Sequence, residues 1–268
     1  MGQVALEAVE SNFNSVKRVL DHGSVEIIDI MGDDYRILQS ARISTGGEAE
    51  KGEKQDRGLI RYLYKNEHLT PFEQVVVTLR AKCPIFVARQ WMRHRTMSYN
   101  EYSGRYSPMI DDYYTPEQFY YQSDTNHQSS GDPLEPQQNE NIINEYTDLL
   151  ENTRYEYDTW LADNIANEQA RMPTSVANYT DFYATVNLRN LFHFIELRTH
   201  HHAQYEIQVY GEALLEMLEE YSKLKWSVAV FKEFRDLKWA YMDAVAKCKS
   251  NTAPLKEVLE NFVVVKNK

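Results

Sequence analysis

The sequence predicts an α+β fold: a single domain with a mainly antiparallel sheet flanked by long helices. Three observations carry that reading. At 268 residues and 31.5 kDa the chain is long enough to bury a real core, and its 43% hydrophobic and 12% aromatic content is that of a packed globular protein. Segments 24–31, 73–81 and 179–186 are rich in β-branched or aromatic residues, as strands are. Between and after them run tracts whose apolar residues recur near every 3.6 positions, the period of a helix with one buried face.

Taken in order, residues 1–23 read as a polar leader. The strand 24–31 is closed by Gly32 and Asp33, and Asp34 opens a helix. Residues 55–67 form a second helix with Leu59, Ile60, Leu63 and Tyr64 on one side, stopped by Pro71. The strand 73–81 follows, and Pro84 is placed as the first residue of a helix running to about Arg95. Residues 123–140 contain Leu134 as their only aliphatic side chain and read as a surface insertion or mobile loop. Helix is expected over 141–165, a strand over 179–186, one long helical tract over 187–224, an amphipathic helix over 228–247 and a short one over 254–264. The domain layout is therefore a leader (1–23), a main domain (24–225) with the insertion at 123–140, and a helical carboxy-terminal extension (226–268). Neither an internal repeat nor a glycine-rich nucleotide-binding fingerprint of the common kinds is present.

Lys and Arg total 29 against 40 Asp and Glu, a formal charge of −11, which is the wrong sign for a protein that coats nucleic acid or an anionic membrane. The two cysteines, Cys83 and Cys248, are far apart and support neither a disulfide framework nor a cysteine zinc site, so a reducing, cytoplasmic setting is expected. A mean hydropathy of −0.60 and the lack of a long apolar run point to a soluble chain without an address.

Against that acidic background, residues 90–107 (QWMRHRTMSYNEYSGRYS) concentrate Arg93, His94, Arg95 and Arg105 among Ser98, Asn100, Glu101, Ser103 and Ser107. Guanidinium forks, hydroxyls and the backbone near Gly104 suit the oxygens of a phosphate monoester or diphosphate. The same run also reads as a solvated charged turn in which the arginines pair with nearby acids. A second tract, residues 187–208, carries a similar mixture: on a helix Leu188, Leu191, Ile195, Arg198 and His202 share one face, and Arg189, His193, Glu196 and His200 form a neighbouring stripe. Buried charge is costly unless paired or used, so Arg198 is read either as a member of an internal ion pair or as part of a site. His200, His201 and His202, with Glu206 one turn on, raise a metal reading, but consecutive residues of a helix point in different directions and no second paired set appears, so no metal is assigned. Cys83, between a strand and Pro84, reads as a small buried residue rather than a nucleophile. Two other classes compete: a single-stranded nucleic-acid binder using the arginines with Tyr99, Tyr102 and Tyr106, and a metal-dependent hydrolase built on the histidines.

Arg93-His94-Arg95, seven further residues and then Ser103 resemble the signature of the flavin-dependent thymidylate synthases, which make dTMP from dUMP with FAD, methylenetetrahydrofolate and NADPH. The segments HLTPFEQ from His68, PIFVARQWMRHR from Pro84, SYNEYSGRYS from Ser98, ATVNLRNL from Ala184 and LRTHHHAQYEIQ from Leu197 resemble that family as well, over roughly 25–215. The loop 123–140 and the chain after about Trp226 lie outside the resemblance.

The resemblance implies a catalytic domain of the flavin-dependent thymidylate synthase kind. Gln90, Arg93, Glu101, Ser103, Gly104, Arg105 and Arg171 would contact dUMP. Thr70, Arg93, His94, Arg95, Glu101, Asn187, Arg189 and His193 would hold FAD, several from neighbouring subunits of a homotetramer, with Ser44 and His68 near the flavin and folate. Arg198 would be the catalytic residue, set beside the uracil ring. At position 193 the family uses His or Asn, and Gln74 stands where His is equally expected. No cysteine nucleophile is implied, and neither a nucleic-acid nor a membrane partner is expected.

Overall fold

The computed structural model describes residues 16–47, 51–124, 130–247 and 260. Its centre is a five-stranded sheet of order β1-β2-β3-β7-β4, in which every neighbouring pair is antiparallel. The strands are β1 (Val16–Val19), β2 (Gly23–Met31), β3 (Val76–Pro84), β4 (Ser98–Glu101) and β7 (Tyr179–Asn187). A separate two-stranded ribbon pairs β5 (Tyr120–Gln122) with β6 (Ser130–Pro133). The helices are α1 (Asp34–Ile43), α2 (Glu53–Lys65), α3 (Ile85–Trp91), α4 (Pro136–Ala162), α5 (Asn167–Ala170), α6 (Leu188–Arg198), α7 (Tyr205–Glu220) and α8 (Lys225–Lys247), with single 3-10 turns at Thr70–Gln74 and Ser222–Leu224.

Alternation decides which face of the sheet is covered. Val25 and Ile27, Val77, Leu79 and Ala81, and Phe182, Ala184 and Val186 are buried and lie opposite one another across β2, β3 and β7. The other face shows Thr78, Arg80, Tyr183 and Thr185. Against the buried face pack α6 and α7, with Leu188, Leu191, Ile195, Leu214 and Leu218 inside. A Cβ on Gly23 would strike the Tyr210 hydroxyl and the Val19 carbonyl, so the β1–β2 hairpin can approach α7 only with glycine there.

Helix α8 is part of this core: Val228 and Phe231 are buried, and the Phe231 and Phe192 rings stack at 4.3 Å. Buried Asp34 fixes its start, accepting from the backbone N–H of Trp226 (2.7 Å) and Ser227 (3.1 Å). The segment after residue 226 thus packs into the main domain as far as it is described, and β1 lies inside the segment read as a leader. The α+β, antiparallel expectation is borne out, with three local corrections. The tract 187–224 is not one helix but breaks over residues 199–204. Residues 123–140 are not all loop, since β6 and the start of α4 lie within them. Pro84 ends β3 and caps α3 rather than opening it, and α3 stops at Trp91. The short helix expected over 254–264 and Cys248 lie outside the described residues. Among the described residues, no helix is long and apolar enough to cross a membrane.

Candidate active site

The site grows from the end of α3. Trp91 is fully buried, stacked on Phe194 of α6 at 4.6 Å and edge-on to Phe182 of β7 at 5.3 Å. That packing fixes where the chain leaves the helix, and Arg93, His94 and Arg95 form the turn that follows. From β4, the Tyr99 hydroxyl reaches the carbonyls of Trp91 (3.1 Å) and His94 (3.0 Å), which also accept from the backbone N–H groups of His94 and Met97, so β4 is tied to the turn. Tyr99 is thereby committed to the fold, which removes one of the stacking platforms of the nucleic-acid reading.

Arg198, in the last turn of α6, meets this turn from the other side. Its Nε donates to His94 Nε2 at 3.0 Å and its NH2 group to the Gln90 carbonyl at 3.2 Å. Burial, then the charge of Arg198, then His193 push the His94 imidazole down to about 4, so it is neutral at physiological pH. Accepting at Nε2 places the His94 proton on Nδ1. Half-buried Arg198 is itself lowered, by desolvation first and by Arg93 second. Among the described residues it has no carboxylate within ion-pair distance, so the internal ion pair considered from sequence does not form.

Arg93, Arg95 and Arg171 likewise lack a carboxylate partner among the described residues. Gly104 explains how Arg171 comes to the signature: a Cβ there would strike Met109 Sδ and stand 3.4 Å from Arg171 Cδ. Glu101 accepts from the Thr180 hydroxyl at 2.7 Å, which ties the signature to β7, and Ser103 Oγ accepts from the Arg105 backbone N–H at 3.3 Å. Arg105 pairs with Glu168 at 3.1 Å, and both side chains are about half exposed (53% and 54%). The Gln90 side chain donates to Gln204 at 2.6 Å.

At the other end of α6, Asn187 caps the helix by accepting from the Asn190 N–H at 2.9 Å, and Arg189 pairs with Glu73. Arg189 and His193 line a cavity of about 900 Å³ whose far wall is α8, with Phe234, Lys238, Tyr241 and Met242. His68 and Thr70 stand exposed on the approach to the 3-10 turn, His68 edge-on to Tyr62 at 6.0 Å. The exposed Ser44 hydroxyl bonds its own helix at the Ala41 carbonyl (3.0 Å). Cys83 is fully buried, and burial raises its thiol well above the ordinary range, with Glu101 and Asp181 adding to the shift, so the reactive thiolate is disfavoured.

Residues 26–222 match the family described as Thymidylate synthase complementing protein. The flavin-dependent thymidylate synthase of Wolbachia pipientis wMel is 42% identical over 215 residues, covering 80% of this chain and 75% of that protein. That of Rickettsia bellii is 41% identical over 250 residues, covering 87% and 83%. The chain belongs to the flavin-dependent thymidylate synthase family. In three dimensions it is similar to the UMP/dUMP methylase PolB of Streptomyces cacaoi bound with 5-Br dUMP, with a TM-score of 0.72 and 32% identity over 81% of this chain and 97% of that one.

Of the residues that the family resemblance singles out, the structure gathers Gln90, Arg93, His94 and Arg198 at the junction of α3 and α6, and Glu101, Gly104 and Arg171 beside β7. Ser44, His68 and Thr70 are exposed and make no hydrogen bond to either group. Sequence reasoning missed the acids Glu73 and Glu168 and the amide Gln204, whose pairings span distant parts of the chain. It also missed the α8 wall of the cavity, although Phe234, Lys238, Tyr241 and Met242 carry a readable signal: they recur at one-turn spacing on a single helix face.

Proposed function

We propose that this chain catalyses the reductive methylation of dUMP to dTMP, with methylenetetrahydrofolate as carbon donor, FAD reduced by NADPH as hydride carrier, and no cysteine nucleophile. One observation carries the residue assignments: Arg198 is a half-buried cation whose only hydrogen-bond partners among the described residues are a neutral imidazole and a backbone carbonyl. Its charge is not neutralised by the fold and is available to a ligand.

Gln90, Arg93, Glu101, Ser103, Gly104, Arg105 and Arg171 would surround dUMP, with Arg93 and Arg171 free of carboxylates for its phosphate. Arg105 would exchange the exposed carboxylate of Glu168 for the phosphate, a cheap exchange because surface pairs are weak. Arg198 would stabilise the uracil deprotonated at N3 and so raise electron density at C5, the carbon to be methylated. His94 keeps the Arg198 guanidinium aimed by accepting from its Nε, which a neutral ring can do and a protonated one cannot.

The donor set fits a flavin dinucleotide: the cations Arg93, Arg95 and Arg189 suit its phosphates, and the cavity lined by Arg189 and His193 gives a recess with Phe72, Phe192 and Phe234 in its wall. Thr70, His94, Glu101 and Asn187 complete the proposed FAD set, with Ser44 and His68 near the flavin and folate. When bound and reduced, FAD supplies the hydride. The full site is proposed to need neighbouring subunits of a homotetramer. Support comes from Arg93 and Arg95, which stand exposed and have no carboxylate partner among the described residues. A cytoplasmic location suits a family that consumes dUMP and NADPH. The test is dTMP formation by the purified, flavin-loaded chain with dUMP, methylenetetrahydrofolate and NADPH. Product that disappears when any one of them is omitted is expected; a flavin-loaded protein that makes none would overturn the reading.

A further inference from the structure

The break between α6 and α7 brings the three histidines together. Residues 199–204 are not helical, so His200, His201 and His202 do not point 100° apart as consecutive helical residues would. Their ring centroids lie 4.2, 4.7 and 4.1 Å from one another. One imidazole nitrogen from each falls within 4.8 Å of the others. The premise that set the metal reading aside therefore does not hold in the structure.

We infer that His200, His201 and His202 bind a divalent transition-metal ion of the zinc, nickel or copper type, with Asp243 of α8 orienting His201. Imidazole is the ligand these ions share. Two further observations support the site. His200 is 8% exposed, and its Nε2 is fully buried with no hydrogen-bond partner among the described residues, although Nδ1 accepts from the His202 backbone N–H at 3.2 Å. A metal at Nε2 would give that atom its missing partner, the ring proton moving to Nδ1 as the His202 bond is released. Asp243 Oδ1 lies 3.7 Å from His201 Nε2, the carboxylate–imidazole arrangement that commonly fixes the orientation of a metal-bound histidine through its other nitrogen.

A tetrahedral ion with bonds of about 2.1 Å needs nitrogens roughly 3.4 Å apart, so the rings must close slightly. His201 and His202 are exposed and free to do so. The ion would tie the turn that follows Arg198 to α8, outside the set of residues proposed for dUMP and FAD.

The experiment is calorimetric titration of the flavin-loaded full chain with Zn²⁺ alone near pH 7.5. One ion per chain is expected. The double variant His201→Ala/His202→Ala changes only exposed side chains, and circular dichroism checks its fold; it should bind at least about tenfold more weakly, and Asp243→Asn by a smaller factor. A second readout locates the ion: Trp239 packs edge-on against His200 at 5.3 Å, so Cu²⁺ should quench its fluorescence in the wild type and not in the double variant. No one-to-one zinc binding by the wild type, or binding that survives intact in the folded double variant, would overturn the inference.

Discussion

Two sets of arginines divide this molecule. Arg42 is buried against Asp56, Arg80 on β3 makes a fork to Asp181 on β7, and Arg154 holds Asp111 and Asp158. These cations are neutralised where they stand and serve the fold. Arg93, Arg95, Arg171 and Arg198 have no carboxylate among the described residues, and the one most involved with its surroundings, Arg198, is held by neutral acceptors and carries a lowered pKa. A protein of formal charge −11 has acids to spare, and that these four lack one among the described residues supports the proposal that they hold anionic ligands. Arg105 and Arg189 stand between the sets, each tied to an acid that a ligand could replace.

The contrast is broken most severely from the structural side. Asp56→Ala removes a carboxylate that the buried Arg42 holds and is expected to cost about 3 kcal/mol of stability, whereas Arg93→Ala is expected to change stability by less than about 0.5 kcal/mol while weakening dUMP binding. Thermal unfolding and a dUMP titration on the same two variants check both halves; equal stability losses would erase the distinction.

His94 gives a pH test of intermediate size. Its folded pKa of about 4 lies below the ordinary 6.5, so as pH falls the unfolded chain takes up the proton first. Stability should therefore decline between about pH 6.5 and about 4 and level off below, an effect on the order of 2–3 kcal/mol. His94→Gln should lack that part of the slope in denaturant unfolding at pH 7 and near pH 4.5. An unchanged slope would mean that the His94–Arg198 contact does not hold the ring neutral.

The smallest effect belongs to the exposed pair. Glu168→Gln should change stability by less than about 0.5 kcal/mol and leave the KM for dUMP equal or lower, because Arg105 loses a competitor rather than a support. A raised KM would show that Glu168 helps the site.

What was legible in the sequence follows from what is local. The strands β2, β3 and β7 announce themselves because one face of each is buried against helices, and the cationic signature because its residues are contiguous. The edge strand β4 and the ribbon strand β6 (Ser-Gly-Asp-Pro) carry no such pattern, since they pair through backbone alone. The break after Arg198 was hidden because no Gly or Pro punctuates residues 199–204, and with it went the convergence of the histidines. The proposal that Arg198 serves the site is prompted by its place on an apolar face; that its partners are His94 and Gln90, 104 and 108 positions away, is a property of the fold.

The central claim is that uracil is activated by a reserved cation and not by a thiolate. Release of tritium from C5 of [5-³H]dUMP measures that chemistry directly, with each variant loaded with FAD and supplied with methylenetetrahydrofolate and NADPH. Cys83→Ser is expected to release tritium at close to the wild-type rate, and Arg198→Ala to fall by about 10²–10³-fold with its flavin spectrum intact. A folded, flavin-bound Arg198→Ala that matches the wild type, or a folded Cys83→Ser that releases none, would contradict the account.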